Sequence, residues 1–231
     1  EPINNLPNPY ETQRDWGTLP DGRSWGSVSA VNVDVDGVHI WAADRCGTNS
    51  CAESDVDPIV KLDPDGNVVH SFGAGLITWP HGMDVDSEGN VWIADARSPN
   101  ARELERTPNA PLNGHQVVKF SPEGEVLLVL GTPGETGDPP THFTEPNDVV
   151  VGPDGRVSKV TDIPLEGMPM VHDMSLTASS VLVYDLPVCL DLEMAMGGSP
   201  FPFSWNPDHA ARVAGPNLSC APGFPVWCVL F

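Results

Sequence analysis

The chain has 231 residues and a formal charge of −21, from 32 Asp and Glu against 11 Lys and Arg. That balance argues against nucleic acid or an anionic membrane surface as partner and leaves a small molecule as the expected ligand. No apolar run approaches the ~20 residues of a membrane span, so a soluble chain with a sizeable core is expected.

Residues 1 to 30 are rich in Pro, Gly and Asn and form a lead-in anchored by Trp16 and Trp25. The sequence opens at Glu1-Pro2 without Met or a signal-like stretch, which fits a mature exported protein, extracellular or periplasmic, as well as a trimmed one. Val31-Asn-Val-Asp-Val-Asp-Gly-Val-His-Ile-Trp-Ala-Ala-Asp44 alternates apolar and polar residues around a turn, and so predicts a β-hairpin. The same pattern returns at His81-Gly-Met-Asp-Val-Asp-Ser-Glu-Gly-Asn-Val-Trp-Ile-Ala-Asp95, with Trp41 and Trp92 standing 51 positions apart. Its first half returns again at Asn147-Asp-Val-Val-Val-Gly-Pro-Asp-Gly155. A second hairpin alternates with the first: Ile59-Val-Lys-Leu-Asp-Pro-Asp-Gly66 matches Val117-Val-Lys-Phe-Ser-Pro-Glu-Gly124. Two alternating hairpins make a four-stranded unit, and repetition at roughly 50 to 65 residues is the arithmetic of propeller blades. The expected fold class is all-β, a β-propeller of four-stranded blades. At 231 residues it has fewer blades than usual or an incomplete ring that self-association would complete.

Arg97 to Gly114 and Thr132 to Glu145 are polar and broken by prolines, and both are expected to be long loops. Of the five cysteines, Cys46 and Cys51 share one loop and could pair, as could Cys220 and Cys228, while Cys189 lies in an apolar run suited to the core. No phosphate loop, Gly-x-Ser-x-Gly elbow or nucleotide fingerprint is present.

Asp15-Trp-Gly17, Trp25-Gly-Ser-Val-Ser-Ala-Val31, Ala43-Asp-Arg-Cys-Gly47 and Trp79-Pro-His-Gly82 resemble the NHL-repeat propellers, including bacterial relatives of the peptidyl-hydroxyglycine amidating lyase. That resemblance covers about residues 10 to 157. From Ile163 to Val213 the chain resembles the carotenoid cleavage oxygenases instead, through Met170-Val-His-Asp-Met-Ser-Leu-Thr177, Val181-Leu-Val-Tyr-Asp-Leu-Pro187 and Phe201-Pro-Phe-Ser-Trp-Asn-Pro207. The expected organisation is a lead-in over 1–30, NHL-type blades over 31–157, an oxygenase-like fragment over 158–213 completing the same domain, and a tail of unrelated character over 214–231.

These resemblances imply candidate site residues. His81 matches a histidine that binds zinc in the lyases, and neutral imidazole is a good zinc ligand; the competing reading is a hydrogen-bonded structural histidine. Arg45 matches an active-site arginine that would hold a substrate carboxylate, and its alternative is a salt bridge to one of the many acids. Glu145-Pro-Asn-Asp148 resembles the calcium-binding hairpin of gluconolactonase-type propellers, which implies Asn147 and Asp148 as metal donors; the competing reading is an NHL blade with Asn147 as a turn cap. His172 matches one of four iron-binding histidines of the carotenoid oxygenases; with no sister histidines assigned, iron is the least expected metal. Trp79 and His142 complete the expected substrate contacts, and His115 is a further possible donor. The lyases' active-site tyrosine is expected where this chain has Ser158-Lys159, and the only tyrosines are Tyr10 and Tyr184, so the lyase base is unassigned.

The leading expectation is therefore a metal-dependent propeller enzyme, with calcium or zinc, hydrolysing a small ester or lactone. His81 and Arg45 would be its catalytic residues. Elimination on an α-hydroxyglycine-type substrate, a non-catalytic protein-binding module, and iron-dependent carotenoid or stilbene cleavage are the alternatives.

Overall fold

The computed structural model describes residues 11–138, 141–151, 170, 174–176, 181–199, 201–214 and 228–230. Strands in antiparallel sheets dominate, with only short helices, so the chain is all-β. Strands β1 (Val28–Val33), β2 (Ile40–Asp44), β3 (Ile59–Leu62) and β4 (Val68–Phe72) form one sheet in sequence order. Strands β5 (Pro80–Val85), β6 (Val91–Asp95), β7 (Gln116–Phe120) and β8 (Val126–Gly131) form a second of the same design. The four-stranded unit is thus present twice; a closed ring is not shown by the described residues.

Local chemistry explains why each hairpin turns where it does. Asp34, Asp63 and Asp86 use one carboxylate oxygen to accept backbone N–H groups two or more residues on, and the Ser121 hydroxyl does the same for Glu123 and Glu125. Gly66, Gly89 and Gly124 follow at φ of 81°, 83° and 90°, where an L side chain would be strained.

The same turn aspartates lock the two units internally. The Trp41 indole donates to Asp34 at 2.7 Å, and Lys61, paired with Trp41 across β2 and β3, reaches the same carboxylate at 2.7 Å. In the second sheet Trp92 donates to Asp86 at 3.1 Å and Lys119 meets it at 3.0 Å. Both tryptophans are fully buried. Burial pushes these two carboxyls up, but hydrogen bonds from the lysine, the indole and neighbouring amides outweigh it and hold both below the usual carboxylate range.

The two sheets pack face to face through Trp41, Ala43, Ile59 and Phe72 on one side and Met83, Val91, Ile93, Val118 and Phe120 on the other. The lead-in covers the opposite face of the first sheet, where Trp16 and Trp25 pack against Leu19, Ala42, Val60 and Leu62. Beyond the second sheet lies β9 (Asp148–Val150), whose Val149 joins Trp92, Ala94, Val117 and Phe143 in another core cluster. The first strands β1, β5 and β9 lie side by side: Asn32 donates to Asp84 at 3.0 Å, and the Val151 amide donates to the same carboxylate at 2.7 Å.

The second half is built of smaller pieces. Strands β10 (Met174–Leu176), β11 (Val181–Asp185) and β14 (Arg212–Ala214) form one sheet; β12 (Val188–Leu190) pairs with β13 (Phe203–Trp205), and β15 (Cys228–Leu230) pairs with β9. The half-buried His209 and the buried Asp185 meet at 2.5 Å and tie the β13–β14 loop to the end of β11. Cys189 is a buried free thiol, as its apolar setting predicts. The expected Cys220–Cys228 pair lies outside what the described residues can address, since Cys220 is not among them.

One expectation needs correction. Arg97 to Gly114 is not all loop: Ala101–Arg106 is a helix, α1. Asn100 accepts from the Arg102 and Glu103 amides, and Glu103 reaches back to the Asn100 amide, so the segment carries a complete capping box. Asn100-Ala-Arg-Glu103 shows that signature in the sequence, but the surrounding prolines obscure it.

Candidate functional site

The repeat gathers the candidate residues at one end of the sheets. Arg45 follows β2, Trp79 precedes β5, Arg97 follows β6 and Asn147 precedes β9. Second strands end and first strands begin at that edge, so residues far apart in sequence become neighbours.

Arg45 is the centre of this cluster. Its guanidinium carbon lies 3.5 Å from the centre of the Trp79 ring, and Arg97 stands over the same ring at 5.2 Å. Arg45 Nε donates to the Pro80 carbonyl at 3.0 Å, and Nη1 donates to the Asn49 side-chain oxygen at 2.7 Å. The residue is only 8% exposed, yet among the described residues no carboxylate pairs with it. Every other buried or half-buried cation described (Arg23, Lys61, Arg97 and Lys119) has one. Among the described residues the salt-bridge alternative for Arg45 finds no acid to make it. Burial, helped by the neighbouring Arg97 charge, lowers its pKa to about 10, so it remains a cation at neutral pH.

Trp79 joins Arg45 to His81, with the Trp79 and His81 ring centres 5.4 Å apart. The Trp79 indole donates to the Asn49 carbonyl at 2.7 Å. Below it, the fully buried Asp95 accepts from the Thr78 and Trp79 amides and from the Gln116 side chain, fixing the approach to β5. Burial raises the Asp95 carboxyl to about 6 despite those donors.

His81 Nδ1 lies 2.7 Å from the Asn147 carbonyl. A carbonyl can only accept, so Nδ1 carries the proton and the lone pair of the neutral ring sits on Nε2. That tautomer suits a proton acceptor or a metal ligand. Asn147 therefore meets the site through its main chain. Asp148 Oδ1 accepts the Val149 amide and closes against Gly82, where an added Cβ would overlap it. Among the described residues no three His, Cys, Asp or Glu side chains come together to hold a metal, so the expected calcium or zinc set is not assembled by them.

His142 is not brought to the cluster; its ring contacts Thr141 at 3.1 Å and Glu135 at 3.4 Å. His115 Nδ1 accepts the Glu145 amide at 3.3 Å. His172, Ser158, Lys159 and Tyr10 lie outside the described residues, and Tyr184 sits in β11.

Comparison with known proteins bears on what this cluster does. The chain is 29% identical over 164 residues to a probable peptidyl-alpha-hydroxyglycine alpha-amidating lyase of Caenorhabditis elegans, covering 64% of this chain and 42% of that protein. It is 28% identical over 154 residues to the peptidyl-glycine alpha-amidating monooxygenase of Mus musculus, covering 59% of this chain and 14% of that one. The chain is similar to amidating enzymes. A shorter stretch of 42 residues is 48% identical to a carotenoid cleavage oxygenase of Mycobacterium tuberculosis, covering 18% of this chain and 8% of that protein. The chain thus spans less than half the length of each of these relatives, and no protein-family model matches it. These relatives lend no support to ester or lactone hydrolysis, or to calcium or zinc, and the leading expectation gives way to the elimination alternative. No helix among the described residues is long and apolar enough to cross a membrane.

Two features of the site escaped the sequence reading. Arg97 makes a bidentate pair with the buried Glu103 at 2.8 and 3.0 Å, which the capping box at Asn100 foreshadows. The part played by Asn49 has no sequence signal, because it depends on how its loop closes: Cys46 and Cys51 form a disulfide there, with Cα atoms 5.2 Å apart.

Proposed function

We propose that the protein is an amidating-lyase-like enzyme acting on a substrate that ends in α-hydroxyglycine, and that its two stacked four-stranded sheets are successive blades of a propeller. The observation that carries this reading is Arg45, a buried guanidinium with no carboxylate partner among the described residues, stacked on Trp79 beside His81. A buried cation of this kind is stabilised when an anion arrives, and a planar guanidinium matches a carboxylate with two parallel hydrogen bonds. The terminal carboxylate of the substrate supplies that anion. Amidating relatives that include a hydroxyglycine lyase support the same assignment.

In the elimination, the substrate hydroxyl loses its proton and its oxygen becomes a carbonyl as the bond from the α-carbon to nitrogen breaks. The nitrogen takes up a proton and leaves as the amide, and an aldehyde bearing the carboxylate remains on Arg45. Trp79 covers one face of the planar Arg45 guanidinium and shields it from water, which strengthens its hold on the anion. His81, held by the Asn147 carbonyl in the tautomer with its lone pair on Nε2, accepts the hydroxyl proton. Binding of a divalent metal is the competing use of that lone pair. Elemental analysis, with activity before and after chelation, decides between the two.

The test is incubation of the protein with an acyl-α-hydroxyglycine peptide, reading amide and aldehyde acid by mass spectrometry. Formation of both in equal amounts, abolished by His81→Ala and reduced at least ~100-fold by Arg45→Ala, is the expected result. Return of intact substrate over the spontaneous background overturns the assignment and favours the binding module.

A further inference from the structure

We propose that Asn49, presented by the disulfide-closed loop from Cys46 to Cys51, is the positioning residue of the anion site, and that this disulfide is a redox lock on substrate affinity. The inference rests on Arg45 being the carboxylate-binding residue.

Asn49 holds both partners of the stack. Its side-chain oxygen takes Arg45 Nη1 at 2.7 Å, while its own carbonyl takes the Trp79 indole N–H at 2.7 Å. No other described residue ties the guanidinium and the indole together in this way. Asn49 is itself exposed, so its position depends on the loop that carries it. The disulfide spans five positions and closes the loop around Asn49. Cys46 sits at φ 55° and Gly47 at φ 74°, a reversal held by the Gly47 amide on Asp44 at 2.8 Å. At the far end the Cys51 amide donates to the Thr78 carbonyl at 2.9 Å, so the loop is fastened to the residue just before Trp79. Gly26 lies so close to the Thr48 backbone that an added Cβ would collide with it. Loop, indole and guanidinium therefore move as one body while the disulfide is intact.

Reduction by a dithiol delivers two electrons and two protons. The disulfide becomes two thiols, and the reductant closes to its own disulfide. The loop then keeps its terminal hydrogen bonds but loses the closure between them, and Asn49 samples other positions. Arg45, still buried and cationic, loses the group that aims Nη1. Affinity for a carboxylate falls while the sheets beneath are untouched.

The experiment measures binding of N-acetylglycine by titration calorimetry, with thermal melting in parallel. Asn49→Ala, the double variant Cys46→Ser with Cys51→Ser, and the dithiothreitol-reduced wild type are each expected to bind about tenfold more weakly than the oxidised wild type, the worth of one charge-assisted hydrogen bond. Asn49→Ala is exposed and is expected to melt with wild type. Asn49→Asp separates positioning from structure: its carboxylate pairs with Arg45, so melting temperature rises while N-acetylglycine binding is lost, an opposition of signs that a merely structural role does not give. Wild-type affinity in Asn49→Ala and in the reduced protein, with binding lost in Arg45→Ala, overturns the positioning role and leaves the anion site standing. Absence of binding by the oxidised wild type overturns both.

Discussion

Glu103→Gln tests the support of the site with the fewest confounding changes, because it alters one oxygen and one charge. Glu103 is 4% exposed, makes two contacts to Arg97, and closes the cap of α1 through the Asn100 amide at 2.7 Å. The Arg97 guanidinium leads the groups that hold its carboxyl down to about 2, against an ordinary 4.5. A drop of that size corresponds to at most about 3 kcal/mol of folding stability. The amide keeps the cap and one contact to Arg97, so a loss of about 2 kcal/mol is expected at pH 7. For a chain of this length that lowers the melting temperature by about 4 to 8 °C. The sign follows from linkage: the folded pKa lies below the unfolded one, so the stabilisation is complete above pH ~4.5 and disappears as pH falls toward ~2. Melting curves for wild type and variant between pH 7 and pH 3 should therefore converge on the acid side. A variant that melts with wild type at pH 7, or a gap that stays constant down to pH 3, refutes the reasoning.

Two further outcomes concern the aspartates of the repeat. Asp34→Asn and Asp86→Asn each remove the charge from an equivalent Trp–Lys lock, so both are expected to cost about 2 to 4 kcal/mol, and denaturant titration giving one a cost within error of zero would break the equivalence of the units. Asp95 works in the opposite direction, because its folded pKa of about 6 lies above the ordinary 3.8. The folded chain then holds a proton that the unfolded chain releases, so this group's contribution to stability falls as pH rises from about 4 to 6, by up to ~3 kcal/mol. Relative to Asp95→Asn, wild type should lose stability across that window, and a flat difference would show that the Asp95 carboxyl titrates normally.

Much of this arrangement was legible in the sequence wherever it rests on local rules. Asp, Gly and Asn at the turns and the 51-residue spacing of Trp41 and Trp92 foretold two equivalent hairpins, and both tryptophans are buried against an aspartate from the turn preceding their strand. Arg45, Trp79 and His81 were each singled out by their motif, and the sheet topology explains why they meet. What stayed hidden depends on distant or weakly patterned contacts. Arg97 and Glu103 sit in a segment whose prolines suggest irregular chain, and Asn49 is an ordinary loop residue until the Cys46–Cys51 closure aims it at two groups at once. That Arg45 meets no acid among the described residues was equally invisible, since a sequence with 32 acidic residues gives no hint of which cations they reach.

The Asp–Trp–Lys lock also says something about how such a chain can grow. In each unit all three members come from the same sheet, from the turn after its first strand and from its second and third strands, while the buried core shared by the two sheets is apolar. The lock thus gives each unit its own internal polar order, and the buried core between the units is filled by apolar side chains. A gene that duplicated one such segment would inherit a self-sufficient piece needing only a complementary oily face to dock against. Lineages built this way can lengthen, shorten or splice their arrays with few compensating changes, and a junction between unlike arrays, as the two halves of this sequence suggest, is the kind of experiment such modularity permits.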